Sequence, residues 1–98
     1  MKTLDLVLKT CWYDKIASGE KTSEYREIKP FWNNRFCGGK DIMPTDKTEC
    51  HIYDKVVFHR AYTSTTMTFE IKTIRITCLP NDLGLDKCWE IVLGQRLV

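Results

Sequence analysis

What most constrains this chain is the recurrence of short stretches in which apolar and polar residues alternate, spread along only 98 residues. Thr66 to Cys78 is the clearest, with Phe69, Ile71, Ile74 and Ile76; Leu4 to Leu8, Tyr53 to His59 and Cys88 to Leu93 are shorter. Alternation of this kind places one face of a strand on a core. Two segments carry helical features instead. Thr10 is an N-cap for a helix from Cys11 to Ser18, with Trp12, Tyr13, Ile16 and Ala17 on one stripe and Gly19 as the left-handed stop. Pro30 suits the first turn of a second short helix carrying Phe31, Trp32 and Phe36. Between them Thr22 to Ile28, with Tyr25 at its centre, reads as one more strand. Polar turns are expected at Thr63 to Thr66 and at Pro80 to Gly84, and the stretch from Cys37 to His51 is long enough to be functional or mobile. Together these elements predict a single domain over residues 1–98 of the α+β class, a small, mostly antiparallel β-barrel with one or two short helices.

The aromatic residues divide by the same logic. In so small a domain Trp12 and Phe31 are expected in the core, as is His59 at the end of an apolar strand, while Trp32, Tyr25 and Tyr62 are free to meet a ligand. The five cysteines are odd in number and irregularly spaced, with no Cys-x-x-Cys, so all are expected as free thiols. Cys37 with the adjacent Cys50 and His51 is a poor metal set, because zinc ligands are normally separated by two to four residues, and neither metal nor cofactor is expected. No run approaches the ~20 apolar residues of a membrane span, and Lys2, Asp5 and Lys9 interrupt the N-terminal segment too early for a signal-peptide core. A cytoplasmic monomer is expected, without membrane contact.

Formal net charge is only +2, which argues against a blanket polyanion binder. Its distribution is uneven, with eight Lys/Arg against five Asp/Glu in residues 1–40 and seven against eight thereafter. Within the basic part lies Gly19-Glu20-Lys21-Thr22-Ser23-Glu24-Tyr25-Arg26. Period two places Thr22, Glu24 and Arg26 on one strand face, with Ser23 and Tyr25 on the other, so that Lys21, Glu24 and Arg26 line one surface cleft. Arg26 offers a planar fork, Lys21 a mobile charge, and Glu24 an acceptor for an exocyclic amine. Taken alone, the same residues are better read as ordinary surface pairs worth ~0–1 kcal/mol.

The Gly-x-Lys-x-x-Glu-x-Arg pattern resembles that of the activating-signal-cointegrator homology (ASCH) family. The likeness extends to Leu6-x-Leu8-Lys9 and the Trp12 helix, and onward to Glu27-Ile28-Lys29-Pro30-Phe31-Trp32, Tyr53 to Phe58 and Glu90 to Gly94. It implies a PUA-like β-barrel that recognises RNA or a modified nucleoside or nucleotide, with Lys21, Glu24, Arg26, Tyr25, Trp32 and Tyr62 as the ligand-binding residues. It also implies an alternative, a hydrolase. One related group hydrolyses N(4)-acetylcytidine with a Lys, Thr and Glu set in which the Lys matches Lys21, but the position of the Thr holds Glu24 here. A carboxylate does not replace a hydroxyl as acyl acceptor, so the catalytic candidates become Lys21, Glu24 as activator of water, and Thr22 as substitute nucleophile. Other members cleave RNA, for which Lys21, Glu24 and Arg26 would serve. A third reading is an adaptor within a protein complex.

Overall fold

The computed structural model describes residues 2–39 and 41–98. Along the chain run β1 (Thr3–Leu8), α1 (Thr10–Ala17), β2 (Ser23–Arg26), α2 (Pro30–Cys37), β3 (Glu49–Cys50), β4 (Lys55–Arg60), β5 (Thr66–Thr77) and β6 (Cys88–Arg96). The strands pair in the order β1-β4-β5-β6-β2, with β3 added beside β5. Every pairing is antiparallel except that of β1 with β4.

The sheet curls because β5 is long and irregular. Its first half pairs with β4, from His59 opposite Thr66 to Lys55 opposite Glu70, and its second half pairs with β6 and β3. Between the halves the register with β6 slips twice, either side of Ile71. Such irregularities bend and twist a strand, turning one sheet back over itself. Alternation decides which face goes inside: Leu4, Leu6 and Leu8 of β1 are buried while Thr3, Asp5 and Val7 are exposed. Val56 and Phe58, Met67, Ile74 and Ile76, and Trp89 and Ile91 complete the inner face. Tyr13 and Ile16 of α1 and Phe36 of α2 pack into this core. Trp89 is fully buried and its indole N–H donates to Asn33 Oδ1 at 2.9 Å, which satisfies the one polar atom of that ring.

The small, mostly antiparallel α+β architecture is therefore as expected, but the sheet is half of a barrel. β1 and β2 end the pairing path and are not joined to each other, which leaves a seam between two free strand edges. Several local expectations are corrected. Thr10 is the first residue of α1; Lys9 is the N-cap, its backbone carbonyl accepting from the Tyr13 N–H at 3.0 Å and no side chain capping the end. Gly19, at φ +84°, does close the helix. β2 is shorter than Thr22 to Ile28. Phe31 is 58% exposed rather than core, because α2 turns Asn33 and Phe36 inward. Cys37 and Cys50 are joined by a disulfide, with Cα atoms 5.4 Å apart, so the expectation of five free thiols holds only for Cys11, Cys78 and Cys88. The end of α2, at Gly38 with φ +72°, and the short β3 bring those two cysteines together across a 13-residue separation. His59 is half-exposed and its Nε2 lies 3.0 Å from Asp5 Oδ1 on β1. Among the described residues no helix is long and apolar enough to cross a membrane.

Candidate functional site

A cleft of about 500 Å³ occupies the mouth of the seam. Val7, Leu8 and Lys9 at the end of β1 form one wall, and Lys21, Glu24, Tyr25 and Arg26 form the other. Backbone bonding explains which groups face it. The Leu8 carbonyl accepts from Ala61 and the Lys2 carbonyl from Asp54, so even-numbered residues of β1 turn towards β4 and odd-numbered ones towards the seam. Two arginines reach those outward carbonyls: Arg35 Nη2 donates to Asp5 O at 2.9 Å and Arg26 Nη2 to Val7 O at 3.4 Å.

Lys21 is placed by the turn that Gly19 starts, in which its own N–H donates to Lys15 O at 3.0 Å. Its ammonium lies 3.1 Å from Glu24 Oε1 and bonds Asp82 Oδ2 directly. The rings of Trp12 and Tyr25 lie 4.7 and 5.1 Å from it. Glu24 meets a second cation on its other oxygen, Arg26 Nη2 at 2.9 Å, and Arg26 in turn lies 5.0 Å from the Trp32 ring. Side-chain exposure is 9% for Lys21 and 6% for Glu24, so these residues, expected at the surface, are largely buried beneath the cleft floor. Lys21, Glu24, Arg26 and Asp82 together carry no net charge. A neutral cluster with fixed donors and acceptors suits the polar edge of a base.

Arg26 has a buried donor without a partner: its Nε–H meets no acceptor among the described residues. Tyr25 borders the cleft although alternation sends it to the opposite strand face from Glu24, because β2 is an edge strand around which a ring can wrap. Burial, and then the negative charge of Glu90, push its phenol above the ordinary tyrosine range, so it is a neutral hydroxyl at physiological pH. Tyr62 stands at the rim, 97% exposed. Ala61 before it holds φ +50°, a left-handed backbone that a β-carbon disfavours by ~1–2 kcal/mol, and this turn sets the ring beside the cleft. Trp32 does not border this cleft; its ring is engaged by Phe36, stacked at 5.3 Å, and by Arg26. Thr22 is exposed and does not border it either.

The residues of the site that were not foreseen include Trp12 and Asp82. Trp12, assigned to the core by its place on the helical stripe, is half-buried and forms a wall. Asp82 comes from the turn between β5 and β6. That turn is shaped by Asn81, whose Nδ2 donates to Leu79 O at 3.2 Å and Leu85 O at 2.8 Å while its Oδ1 accepts from the Leu83 and Leu85 N–H groups. Nothing in a polar turn signals that its aspartate will meet a lysine 61 residues earlier. None of the cleft's described lining residues is Ser, Thr, Cys or His, and no group of three or more His, Cys, Asp or Glu gathers as metal ligands would among the described residues. No family model, curated protein or solved structure matches the chain.

Proposed function

We propose that this chain is a PUA-like domain of the ASCH type that recognises RNA or a nucleotide-like ligand by seating one base or nucleoside in the cleft between β1 and β2. The observation that carries this reading is the joining of Lys21, Glu24 and Arg26 in a cleft of about 500 Å³ bordered by the rings of Trp12, Tyr25 and Tyr62. Pockets of 300–1,000 Å³ take small ligands, and a base needs both a ring to stack on and paired donors and acceptors for its edge. Tyr62 supplies an unoccupied ring. Asp82 and Arg26, which line the cleft and are more exposed than Glu24, supply the edge contacts.

One observation favours the hydrolase alternative. Asp82 adds a second carboxylate to Lys21, a set able to activate water beside a cation. Against it, Thr22 does not border the cleft, and among the described residues the only hydroxyls that do are the tyrosine phenols. Binding is therefore the preferred reading. The test is a titration of the protein with nucleosides, N(4)-acetylcytidine among them, and with short single-stranded RNA, with products analysed in parallel. Arg26→Ala and Tyr62→Ala are expected to weaken binding about tenfold. Because Tyr62 is almost wholly exposed, its variant should melt as wild type does, which separates a ligand contact from a structural one. Failure of every probe to bind would leave the adaptor reading, and product formation would move the assignment to the hydrolase.

A further inference from the structure

We infer that the site takes two consecutive nucleotides of an RNA strand, the second in an adjoining compartment; this rests on the nucleotide-binding reading above. A second cavity of about 430 Å³ opens on the far side of Arg26. Tyr25, Arg26 and Leu83 border both compartments, so the two adjoin, and each has room for one nucleoside. Their chemistry differs. The first is lined by the charged cluster that reads a base edge, whereas the second is lined by Leu83, Leu85 and Trp32, with the Lys29–Glu27 pair beside them. Leucines and an indole suit the faces of a base without distinguishing its edges.

The border between them is a guanidinium. A phosphodiester linking two seated nucleosides has to cross it, and guanidinium is the side chain best shaped to bond phosphate oxygens. Arg26 spends Nη2 on Glu24 and Val7 and its buried Nε–H meets no acceptor among the described residues, so the guanidinium is not fully satisfied by the protein. Lys29 is half-exposed, pairs among the described residues with the exposed Glu27 at 3.3 Å, and is placed for the next phosphate. A peptide fits less well. It would bind the seam by adding a strand to β1, whose outward carbonyls at Asp5 and Val7 are already taken by Arg35 and Arg26.

The experiment compares single ribonucleosides with the set of ribodinucleoside monophosphates, titrated into the intact protein by calorimetry or NMR. At least one dinucleoside monophosphate is expected to bind about tenfold tighter than either of its component nucleosides, the gain of one further stacked base. Leu85→Glu, at a position 40% exposed, places a carboxylate in the second compartment and should remove that gain. Lys29→Ala should lower the salt dependence of binding to a trinucleotide by about one charge. Dinucleotides no tighter than nucleosides, or a gain that survives Leu85→Glu, would overturn the second subsite and leave the first compartment's role intact. Binding of neither class would remove the reading on which it rests.

Discussion

Glu24 holds the site together, because each of its oxygens meets a different cation and the side chain is almost wholly inside the protein. A carboxylate at that depth is stable only while paired, so removing a partner costs more than a surface ion pair would. Lys21→Ala and Arg26→Ala are each expected to destabilise the fold by about 1–3 kcal/mol, the penalty of stripping a bond from a buried charged group. Glu24→Ala relieves that penalty. In the Lys21→Ala, Glu24→Ala double variant the loss should fall short of the sum of the single losses by about 0.5–3 kcal/mol. Urea unfolding of the four proteins in the cycle reads this directly; strict additivity, with single variants as stable as wild type, would show that the cluster is solvated and the cleft floor open. Trp12 belongs to the same residue scale. It packs over Lys21 at a half-buried position, so truncating it should cost less stability than truncating the fully buried Trp89, for which ~3–5 kcal/mol is usual.

Between elements, the disulfide from the end of α2 to β3 is the main constraint that the hydrogen-bonded sheet does not supply. Closing a loop of this length removes denatured-state freedom worth about 3 kcal/mol. Thiol titration of the denatured, unreduced protein is expected to find three free groups, and Cys50→Ala to lower stability by an amount of that order; five titratable thiols would show the pair open. Reducing compartments keep such pairs as thiols, so the same titration on freshly extracted protein bears on where the chain works. Cys37 and Cys50 also show why some of the structure was hidden in the sequence. Their pairing depends on how α2 meets β3, which no local pattern encodes. Five of the six strands were legible to within a few residues, since Leu4, Leu6 and Leu8, or Ile74 and Ile76, announce a buried face by alternation alone, whereas the two-residue β3 fell inside the expected loop. The helix stop at Gly19 was legible because a left-handed residue is needed there. An aromatic on a short helix, by contrast, does not reveal whether it meets a core or a cleft: Phe31 is exposed, and Trp12 packs against the core from a half-buried position while also walling the cleft. Asp82 reaches Lys21 only because Asn81 ties the turn between β5 and β6 into one shape.

At the scale of the whole molecule, the sheet has two unpaired edges that face the same ligand-sized space. Thr22 O accepts from Leu93 N–H, so even-numbered residues of β2 bond towards β6, while Ser23 and Tyr25 direct their backbone groups to the seam, as Asp5 and Val7 do from β1. Arg26 is a side-chain latch across it, through its long bond to Val7 O. A ligand seated there joins β1, the first strand on the pairing path, to β2, the last, and should act as a removable closing element for the half-barrel. Two consequences can be measured together. At a hundredfold excess over its Kd, a bound nucleoside should raise the unfolding free energy by about 2.7 kcal/mol, as for any ligand selective for the folded state. Hydrogen exchange gives the location: the Val7 and Tyr25 amides, which face the seam, should slow on binding beyond this global stabilisation, because local opening of the edges no longer suffices to expose them. Leu6, whose amide faces β4, should change only by the global amount. Uniform slowing without extra protection at Val7 and Tyr25 would place the ligand elsewhere on the protein and separate the cleft from the function proposed for it.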